Sequence, residues 1–204
     1  MRPPVLRLYE EEIIVDSFAG GGGASMGIEM ALGRSPDIAI NHNARALAIH
    51  KANHPSTKHF CENVWKVDPR KACGGRPVGL MWLSPDCTFF SKARGAKPFR
   101  DRKKARRRRG LANLAILWAK AKKPRVIVME NVEEFQKWCP LLPNGTPDWS
   151  RAGFSFRRWK KELEGCGYKV ELRQLRGCDF GAPACSESSR SSPTWCRKRC
   201  CSFR

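Results

Sequence analysis

The sequence predicts an α/β fold in which parallel β-strands alternate with α-helices. Short runs of β-branched and other apolar residues recur along the chain, and most of them precede a segment with the apolar spacing of a helix. Glycine and polar residues stand where the predicted strands end. Such a parallel sheet carries helices on both faces and binds ligands outside the carboxyl ends of its strands.

The first half of the chain supplies a strand, a glycine turn and a helix, and then repeats the strand–helix order. Residues 13–15 form a short β-branched run, and Gly20 to Gly23 provide the turn before a helix over 24–32. The following elements are a second strand over 37–40, a second helix over 44–51 and a short third strand over 59–64.

The second half contains the most apolar of the predicted strands. A fourth strand is expected over 78–83, and Arg125 to Met129 (Arg-Val-Ile-Val-Met) is typical of a buried fifth strand. A helix over 111–122 comes before that fifth strand, and residues 154–165 have an amphipathic helical pattern. Alternating residues over 168–174 predict a final strand. The 204 residues suffice for one such domain.

The charge of the chain indicates a polyanionic partner. Lys and Arg total 39 against 19 Asp and Glu, which gives a formal net charge of +20. The last 15 residues hold five of these cations, and a large surplus remains without them. Nucleic acid is the commonest partner of so basic a protein.

The cysteines and the chain termini favour a cytoplasmic protein. No signal peptide is visible before Glu12, and no apolar run approaches the roughly 20 residues of a membrane span. We therefore expect the ten cysteines to be reduced thiols, with no metal and no membrane contact. We also expect a monomer. His50 and His54 are four residues apart, and without a third ligand they are expected to be a solvated or capping pair.

Three short motifs at the predicted strand ends carry the chemistry. Asp16 opens the spacing Asp-x-Phe-x-Gly-x-Gly, which favours S-adenosylmethionine over a dinucleotide. Cys87 lies in Ser-Pro-Asp-Cys after the fourth strand, where it is a candidate nucleophile or an inert buried thiol. Glu130 closes the fifth strand, where it either caps the following segment or bonds a ligand.

Taken in order, these motifs resemble the DNA cytosine-5 methyltransferases. The order is Asp-x-Phe-x-Gly-x-Gly, Pro-x-Cys-x-x-Phe-Ser, Glu-Asn-Val and Asp-Phe-Gly-Ala-Pro, and it covers residues 13–183. The wording Ser-Pro-Asp-Cys, with Asn-His-Asn upstream, is similar to a subgroup common in phages and prophages. The resemblance implies a Rossmann-like, S-adenosylmethionine-dependent methyltransferase fold.

The resemblance also assigns roles to individual residues. Cys87 matches the nucleophile that adds to C6 of cytosine, Glu130 matches the group that bonds N3, and Asn131 helps to hold the loop geometry. The target is double-stranded DNA, from which the base is flipped out. The implied S-adenosylmethionine site comprises Asp16, Phe18, Ala19, Gly20, Gly22, His42, Asn43, Asn63 and Pro85. His42 stands where most relatives use Glu for the ribose, and Asn63 where many use Asp for the adenine.

A basic run after Cys87 is the candidate DNA-binding segment. A run of charge is commonly a solvated face, but this one follows the nucleophile motif, where the family has a mobile loop that closes over DNA. Cations there neutralise phosphates and make binding salt-dependent. The expected DNA contacts are Ser91, Arg102, Lys103, Lys104, Arg106, Arg107, Arg108 and Arg109.

The resemblance stops after Pro183. We expect an N-terminal extension over 1–12, an incomplete methyltransferase domain over 13–183 and an aberrant, disordered Ser/Cys-rich basic tail over 184–204. The family continues with an arginine motif and a further strand, which this sequence replaces with Ala-Cys-Ser-Glu-Ser. A frameshift is our hypothesis for this change, and an in-frame gene without a homologous continuation downstream would contradict it. Methyl transfer by this chain is then expected to be impaired.

Two other functions compete with the methyltransferase at the level of sequence. One is a catalytically inactive, basic DNA-binding fragment, which shares the fold and differs in turnover. The other is an NAD-type oxidoreductase, which uses a similar glycine turn but leaves Pro-x-Cys, Glu-Asn-Val and the charge unexplained.

Overall fold

Parallel strands in the order β3-β2-β1-β4-β5 form the main sheet. The computed structural model describes residues 6–90, 101–175, 177–180 and 196–200. Its strands are β1 (Ile13–Ser17), β2 (Ile38–Asn41), β3 (Lys58–Cys61), β4 (Val78–Leu83), β5 (Val126–Asn131), β6 (Arg173–Gln174) and β7 (Cys196–Cys200). Its α-helices are α1 (Gly23–Leu32), α2 (Ala44–Asn53), α3 (Pro69–Ala72), α4 (Arg102–Arg109), α5 (Leu114–Lys122) and α6 (Phe154–Gly165).

Strand β1 lies inside the sheet because its sequence is β-branched and apolar. All five of its residues are buried, and it pairs in parallel with β2 on one side and β4 on the other. Strand β2 then pairs in parallel with β3. Crossovers between parallel strands place helices against the faces of the sheet, so an inner strand is buried on both faces, which explains the apolar run Ile13–Ile14–Val15.

Both faces of this sheet are buried. Ile14 of β1 packs with Ile28 of α1 and Leu80 of β4, and Ala39 of β2 packs with Leu47 of α2. Side chains that alternate with these, Ile13, Val15 and Met81, are no more than 1% exposed. The doubly covered parallel sheet predicted from the sequence is thereby confirmed.

The chain forms two compact units. The first consists of Met1–Ser84 and Leu117–Val128, and the second of Pro85–Ile116 and Met129–Arg204. Strand β5 begins in the first unit and ends in the second. The second unit contains a cluster of aromatic rings whose neighbouring centroids are 5.2–6.0 Å apart: Phe90, Phe135, Trp138, Phe156 and Trp159.

The structure corrects the sequence prediction in the C-terminal part. The final strand expected over 168–174 is reduced to Arg173–Gln174, and the tail contributes Cys196–Cys200 as an antiparallel partner of that strand. Antiparallel pairing uses backbone groups that every residue but proline carries, so a segment without apolar alternation can still join a sheet.

The basic run also differs from its expected loop structure, because residues 102–109 form α4. Asp101 caps this helix by accepting a hydrogen bond from the backbone N–H of Lys104 at 2.8 Å.

No helix in the described part of the chain is long and apolar enough to cross a membrane. Within the same residues, no group of three or more His, Cys, Asp or Glu side chains is arranged to hold a metal ion.

Candidate active site

The glycine loop between β1 and α1 is the first part of the candidate site. Phe18 adopts a positive φ of 66°, which is uncommon for a bulky residue and turns the chain sharply at the end of β1. The N–H of Ala19 donates to the carbonyl of Ile40 at 3.1 Å, and its carbonyl accepts from the side chain of Asn41 at 2.6 Å. The end of β2 therefore fixes the start of the loop.

Two glycines of the loop have different reasons to be glycine. Gly22 has φ 111°, and a Cβ added there would lie 2.9 Å from the ring of His54, so both conformation and space exclude a side chain. A Cβ added to the exposed Gly20 would meet no described atom within 4 Å. The loop is thus packed against His54 at Gly22, whereas Gly20 leaves space in which a ligand could approach the backbone. The first turn of α1 has no side-chain cap in the described structure, which leaves N–H donors for a ligand.

Beneath the loop lies a chain of buried polar side chains. Asp16 is 1% exposed, and its Oδ2 accepts a hydrogen bond from Ser25 at 2.7 Å. The Oγ of Ser25 is 2.9 Å from Nε2 of His50, whose Nδ1 is 2.9 Å from Nε2 of His59. Burial, followed by the charge of His50, lowers the pKa of His59.

Of the two alternatives expected for His50 and His54, solvation is wrong, because these side chains are 0% and 1% exposed, whereas His54 is the C-cap residue of α2. They are buried because each is a hydrogen-bonding partner of the glycine-loop region. Nε2 of His54 lies 3.3 Å from the carbonyl of Gly22, and the neighbouring Asn53 donates to the carbonyl of Gly21 at 2.7 Å. Asn53-His54-Pro55 was visible in the sequence, but not its contact with the loop.

Three polar candidates for the S-adenosylmethionine site stand at the ends of β2 and β3. His42 is exposed. Asn43 is exposed and caps α2, accepting from the N–H of Arg45 at 3.0 Å. Asn63 is exposed, and its Oδ1 accepts from the N–H of Trp65 at 3.0 Å. The side-chain Oδ1 atoms of Asn43 and Asn63 therefore already accept hydrogen bonds from backbone N–H groups.

The second unit contains the loop of the candidate nucleophile Cys87, residues 85–90, which follows β4 and is called the nucleophile loop below. The half-buried Cys87 lies between Asp86 and Thr88. Oδ1 of Asp86 accepts from both the N–H and the hydroxyl of Thr88, at 2.8 and 2.7 Å. This turn encloses Cys87 and fixes its backbone.

Asn131 connects the nucleophile loop to β5. The buried Asn131 donates from Nδ2 to the carbonyl of Pro85 at 3.4 Å, and its Oδ1 accepts from the N–H of Val132 at 2.9 Å. The side chain of the adjacent Glu130 is exposed. Pro85 itself is buried, and its carbonyl is the point of attachment.

Carboxylates and burial act together on the thiol of Cys87. Burial raises the pKa of Cys87, and the negative charges of Asp86, Glu130 and Glu134 raise it further. The thiolate is the nucleophilic form, so this environment holds back its reactivity at neutral pH.

Helix α4 divides the basic run into two faces. The basic face carries four exposed cations: Lys103, Lys104, Arg106 and Arg107. The inner face carries Ala105, which is fully buried, together with Arg108 and Arg109. The helical period of 3.6 residues causes this division, because positions 105, 108 and 109 share one side.

The expectation that Arg109 contacts DNA is corrected by its burial. Arg109 is 4% exposed, and burial lowers its pKa. Its guanidinium donates to the carbonyl of Phe89 at 3.0 Å and to that of Cys139 at 2.9 Å, and lies 4.8 Å from the ring centroid of Phe90. Because Nη1 and Nη2 bond to carbonyls inside the protein, we no longer expect Arg109 to contact phosphate.

Ser91 and Arg102 are the two remaining candidates for DNA contact. Ser91 lies outside the described residues, and Arg102 is described as the first residue of α4. Asp86 was not singled out by sequence reasoning. Its position beside Cys87 was the available signal.

Comparison with solved structures shows which fold the chain has. A DNA modification methyltransferase encoded within a prophage of E. coli has a TM-score of 0.66 at 20% identity, covering 93% of this chain and 46% of that one. The Dnmt2 methyltransferase of S. pombe has a TM-score of 0.57 at 19% identity, covering 94% and 50%. This fold is that of the S-adenosylmethionine-dependent methyltransferases.

Sequence comparison then gives the family. Residues 13–184 match the family described as C-5 cytosine-specific DNA methylase, and the chain belongs to it. The Type II methyltransferase M.DdeI of Desulfomicrobium norvegicum is 29% identical over 177 residues, covering 83% of this chain and 37% of the relative. M.AgeI of Thalassovita gelatinovora is 26% identical over 174 residues, covering 83% and 36%. The chain thus spans less than half the length of these relatives.

Proposed function

We propose that this chain transfers a methyl group from S-adenosylmethionine to C5 of cytosine in double-stranded DNA through a covalent bond between Cys87 and C6, with impaired turnover. The observation that carries the proposal is the link between Asn131 and Pro85, at 3.4 Å. It joins the loop of the proposed nucleophile to the strand that presents Glu130, within a chain of the cytosine-5 methylase family.

The residues of the glycine loop fit the proposed cofactor. Oδ1 of Asp16 and Oγ of Ser17 are buried and have no hydrogen-bond partner among the described residues, at the carboxyl end of β1. Gly20 borders open space, and the N-terminus of α1 offers backbone donors. We infer that these groups, with Phe18, Ala19 and Gly22, hold S-adenosylmethionine. His42 and Asn63 would contact its ribose and adenine, with Asn43 next to His42 in sequence.

The chemistry assigned to the chain's own residues begins at Cys87. Its thiolate forms a bond to C6 of the flipped cytosine, and the C5–C6 π electrons move to C5. Glu130, in its protonated form, hydrogen-bonds N3 and stabilises the negative charge that develops on the ring. Bound S-adenosylmethionine would supply the electrophilic methyl group that C5 takes and would leave as S-adenosylhomocysteine. Loss of the C5 proton to water and departure of Cys87 as a thiolate then restore the aromatic ring.

The basic face of α4 provides the proposed contact with DNA. Its four cations, Lys103, Lys104, Arg106 and Arg107, are exposed and can pair with phosphates. Phosphate contacts set affinity and position without reading sequence, so the target sequence is not specified by this face.

A transfer assay with a covalent trap tests the reaction. Tritiated S-adenosylmethionine and plasmid DNA measure turnover, and a duplex containing 5-fluorocytosine accumulates the adduct because its C5 carries no proton to lose. We expect tritium in DNA and a denaturant-stable protein–DNA adduct whose tryptic peptide contains Cys87. Cys87→Ser removes both signals, and Cys61→Ser, at an exposed thiol in the other unit, is the matched control.

The exposed basic face also supports a second candidate, a DNA-binding chain without turnover. That function predicts salt-dependent duplex binding together with background levels of tritium and adduct. Binding that is unchanged in Cys87→Ser, with no transfer in the parent chain at any pH between 6 and 9, would decide for it.

A further inference from the structure

We propose that Arg108 is a positioning residue of the nucleophile loop, compensating the charge of Asp86 beside Cys87, and is not a DNA contact. The inference rests on the proposed function in taking Cys87 as the nucleophile. The proposal divides the cations of the basic run into those that contact DNA and those that hold the nucleophile loop.

The geometry of Asp86 supports this role. One carboxylate oxygen, Oδ1, is occupied by Thr88 in the turn around Cys87. The other, Oδ2, lies 3.4 Å from Nη1 of Arg108. The carboxylate thus fixes the backbone of the nucleophile with one oxygen and bonds to α4 with the other.

The surroundings of Cys87 show why a cation is needed there. The charged groups that raise its pKa are Asp86 in its own loop, Glu130 on β5 and Glu134 in the 3-10 turn after β5. Asp86 is the largest of these three contributions and is adjacent in sequence. Among the described contacts, the positive charge that approaches the Asp86 carboxylate comes from Arg108 on α4.

The neighbouring Arg109 shows that the inner face of α4 is attached to the same loop. Arg109 bonds the carbonyl of Phe89 and lies against the ring of Phe90, so two consecutive arginines bind the residues on either side of Cys87. Arg108 is 37% exposed at its side chain and Asp86 is 25% exposed. Water screens such a pair, so its expected effect on the thiol is moderate.

The test measures the alkylation of Cys87 by iodoacetamide across a pH series, using the full chain without DNA. Mass spectrometry of the peptide containing Cys87 gives its rate, and Cys61 serves as the internal reference. We expect Arg108→Gln to raise the apparent thiol pKa by about half a unit and to slow alkylation at neutral pH about threefold. Asp86→Asn, which keeps the turn acceptor, lowers the apparent pKa and speeds alkylation.

A double-variant cycle identifies the path of the effect. In the Asp86→Asn background, Arg108→Gln has a smaller effect, because the charged carboxylate that Arg108 holds is absent and only the direct attraction between Arg108 and the thiolate remains to be lost. Arg108→Lys restores most of the rate, and it also tests the proposal if Arg108→Gln fails to fold. Arg158→Gln, an exposed charge removal on α6, is the matched control and leaves alkylation unchanged.

Duplex binding completes the test. Arg108→Gln should weaken binding less than Arg106→Gln on the basic face. Equal losses of DNA affinity, or an alkylation rate that Arg108→Gln leaves unchanged or slows equally in both backgrounds, would overturn the proposal. Since alkylation needs no methyl transfer, a chain that binds DNA without turnover can still confirm this inference while the proposed function fails.

Discussion

Replacing the buried Arg109 with methionine should destabilise the second unit substantially. The substitution keeps the length of the side chain and removes both donors, so the carbonyls of Phe89 and Cys139 lose partners at 3.0 and 2.9 Å. Hydrogen bonds from a charged donor contribute about 1.5 to 3 kcal/mol each. The contact with the ring of Phe90 adds about 1 kcal/mol.

Part of this loss is offset. Burial disfavours the charged guanidinium, as the lowered pKa of Arg109 indicates, and methionine is free of that penalty. We therefore expect a net loss of about 3 kcal/mol, which is below the roughly 4 to 7 kcal/mol of the three lost contacts because of this offset. With a urea dependence of about 2 kcal/mol per molar, the midpoint of unfolding falls by about 1.5 M.

Urea titration followed by tryptophan fluorescence measures this change. Trp138 and Trp159 belong to the aromatic cluster that surrounds Phe90 and Phe135, so they report on the affected unit. Arg107→Met, on the exposed side of the same helix, is the control and should shift the free energy by less than about 0.5 kcal/mol. Equal midpoints for the two variants would refute the assignment of Arg109 as a buried anchor.

Three further outcomes follow from the structure. Gly22→Ala should destabilise the chain by about 1 to 3 kcal/mol in thermal melting, because φ is 111° there, whereas Gly20→Ala should melt unchanged and bind S-adenosylmethionine about tenfold more weakly in calorimetric titration. Replacing all four cations of the basic face with glutamine should reduce the slope of log affinity against log salt by about 0.9 per cation, and an unchanged slope contradicts the assignment. Arg125 donates to Glu12 at 2.6 Å and lowers the pKa of Glu12, so this stabilisation is complete above the ordinary glutamate pKa of about 4.3 and is lost as pH falls through the lowered value. Glu12→Gln should therefore flatten the acid side of the stability profile, and parallel profiles would contradict this.

The order of strands and helices in the first unit could be predicted because its periodicities are strong. The β-branched run of β1 and the glycines after it specify a strand, a turn and a helix, and the strand predicted over 78–83 has the bounds of β4. Helix α6 likewise begins and ends where its amphipathic pattern does. Local composition determines these elements, so one sequence suffices.

Helix α4 shows where sequence reasoning fails. A run of consecutive cations has no apolar alternation, so the sequence shows neither the helix nor which of its sides is buried. The structure shows both, because Asp101 caps the helix and Ala105 is buried. The difference between Arg107 and Arg109 arises only from their angle on the helix and from carbonyls supplied by distant residues. The roles of Cys87 and Glu130 were predicted from the order of motifs and stay predictions.

The contacts that support the glycine loop could not be predicted from the sequence. Asp16 and Gly22 were identified from spacing, but spacing cannot show that Ser25 and His54 pack against them. Such contacts depend on which helix face meets the sheet, a tertiary property. The strand formed by Cys196–Cys200 was missed for a related reason, because backbone pairing leaves little mark on side-chain pattern.

The buried polar chain under the glycine loop has a fixed direction. Ser25 donates its one hydroxyl proton to Oδ2 of Asp16 at 2.7 Å. The Ser25 oxygen then has only lone pairs left, so Nε2 of His50 is the donor across the 2.9 Å that separate them. The first two hydrogen bonds of this series are therefore both donated toward Asp16. A His50 ring without a proton on Nε2 would leave two acceptors facing each other in the core.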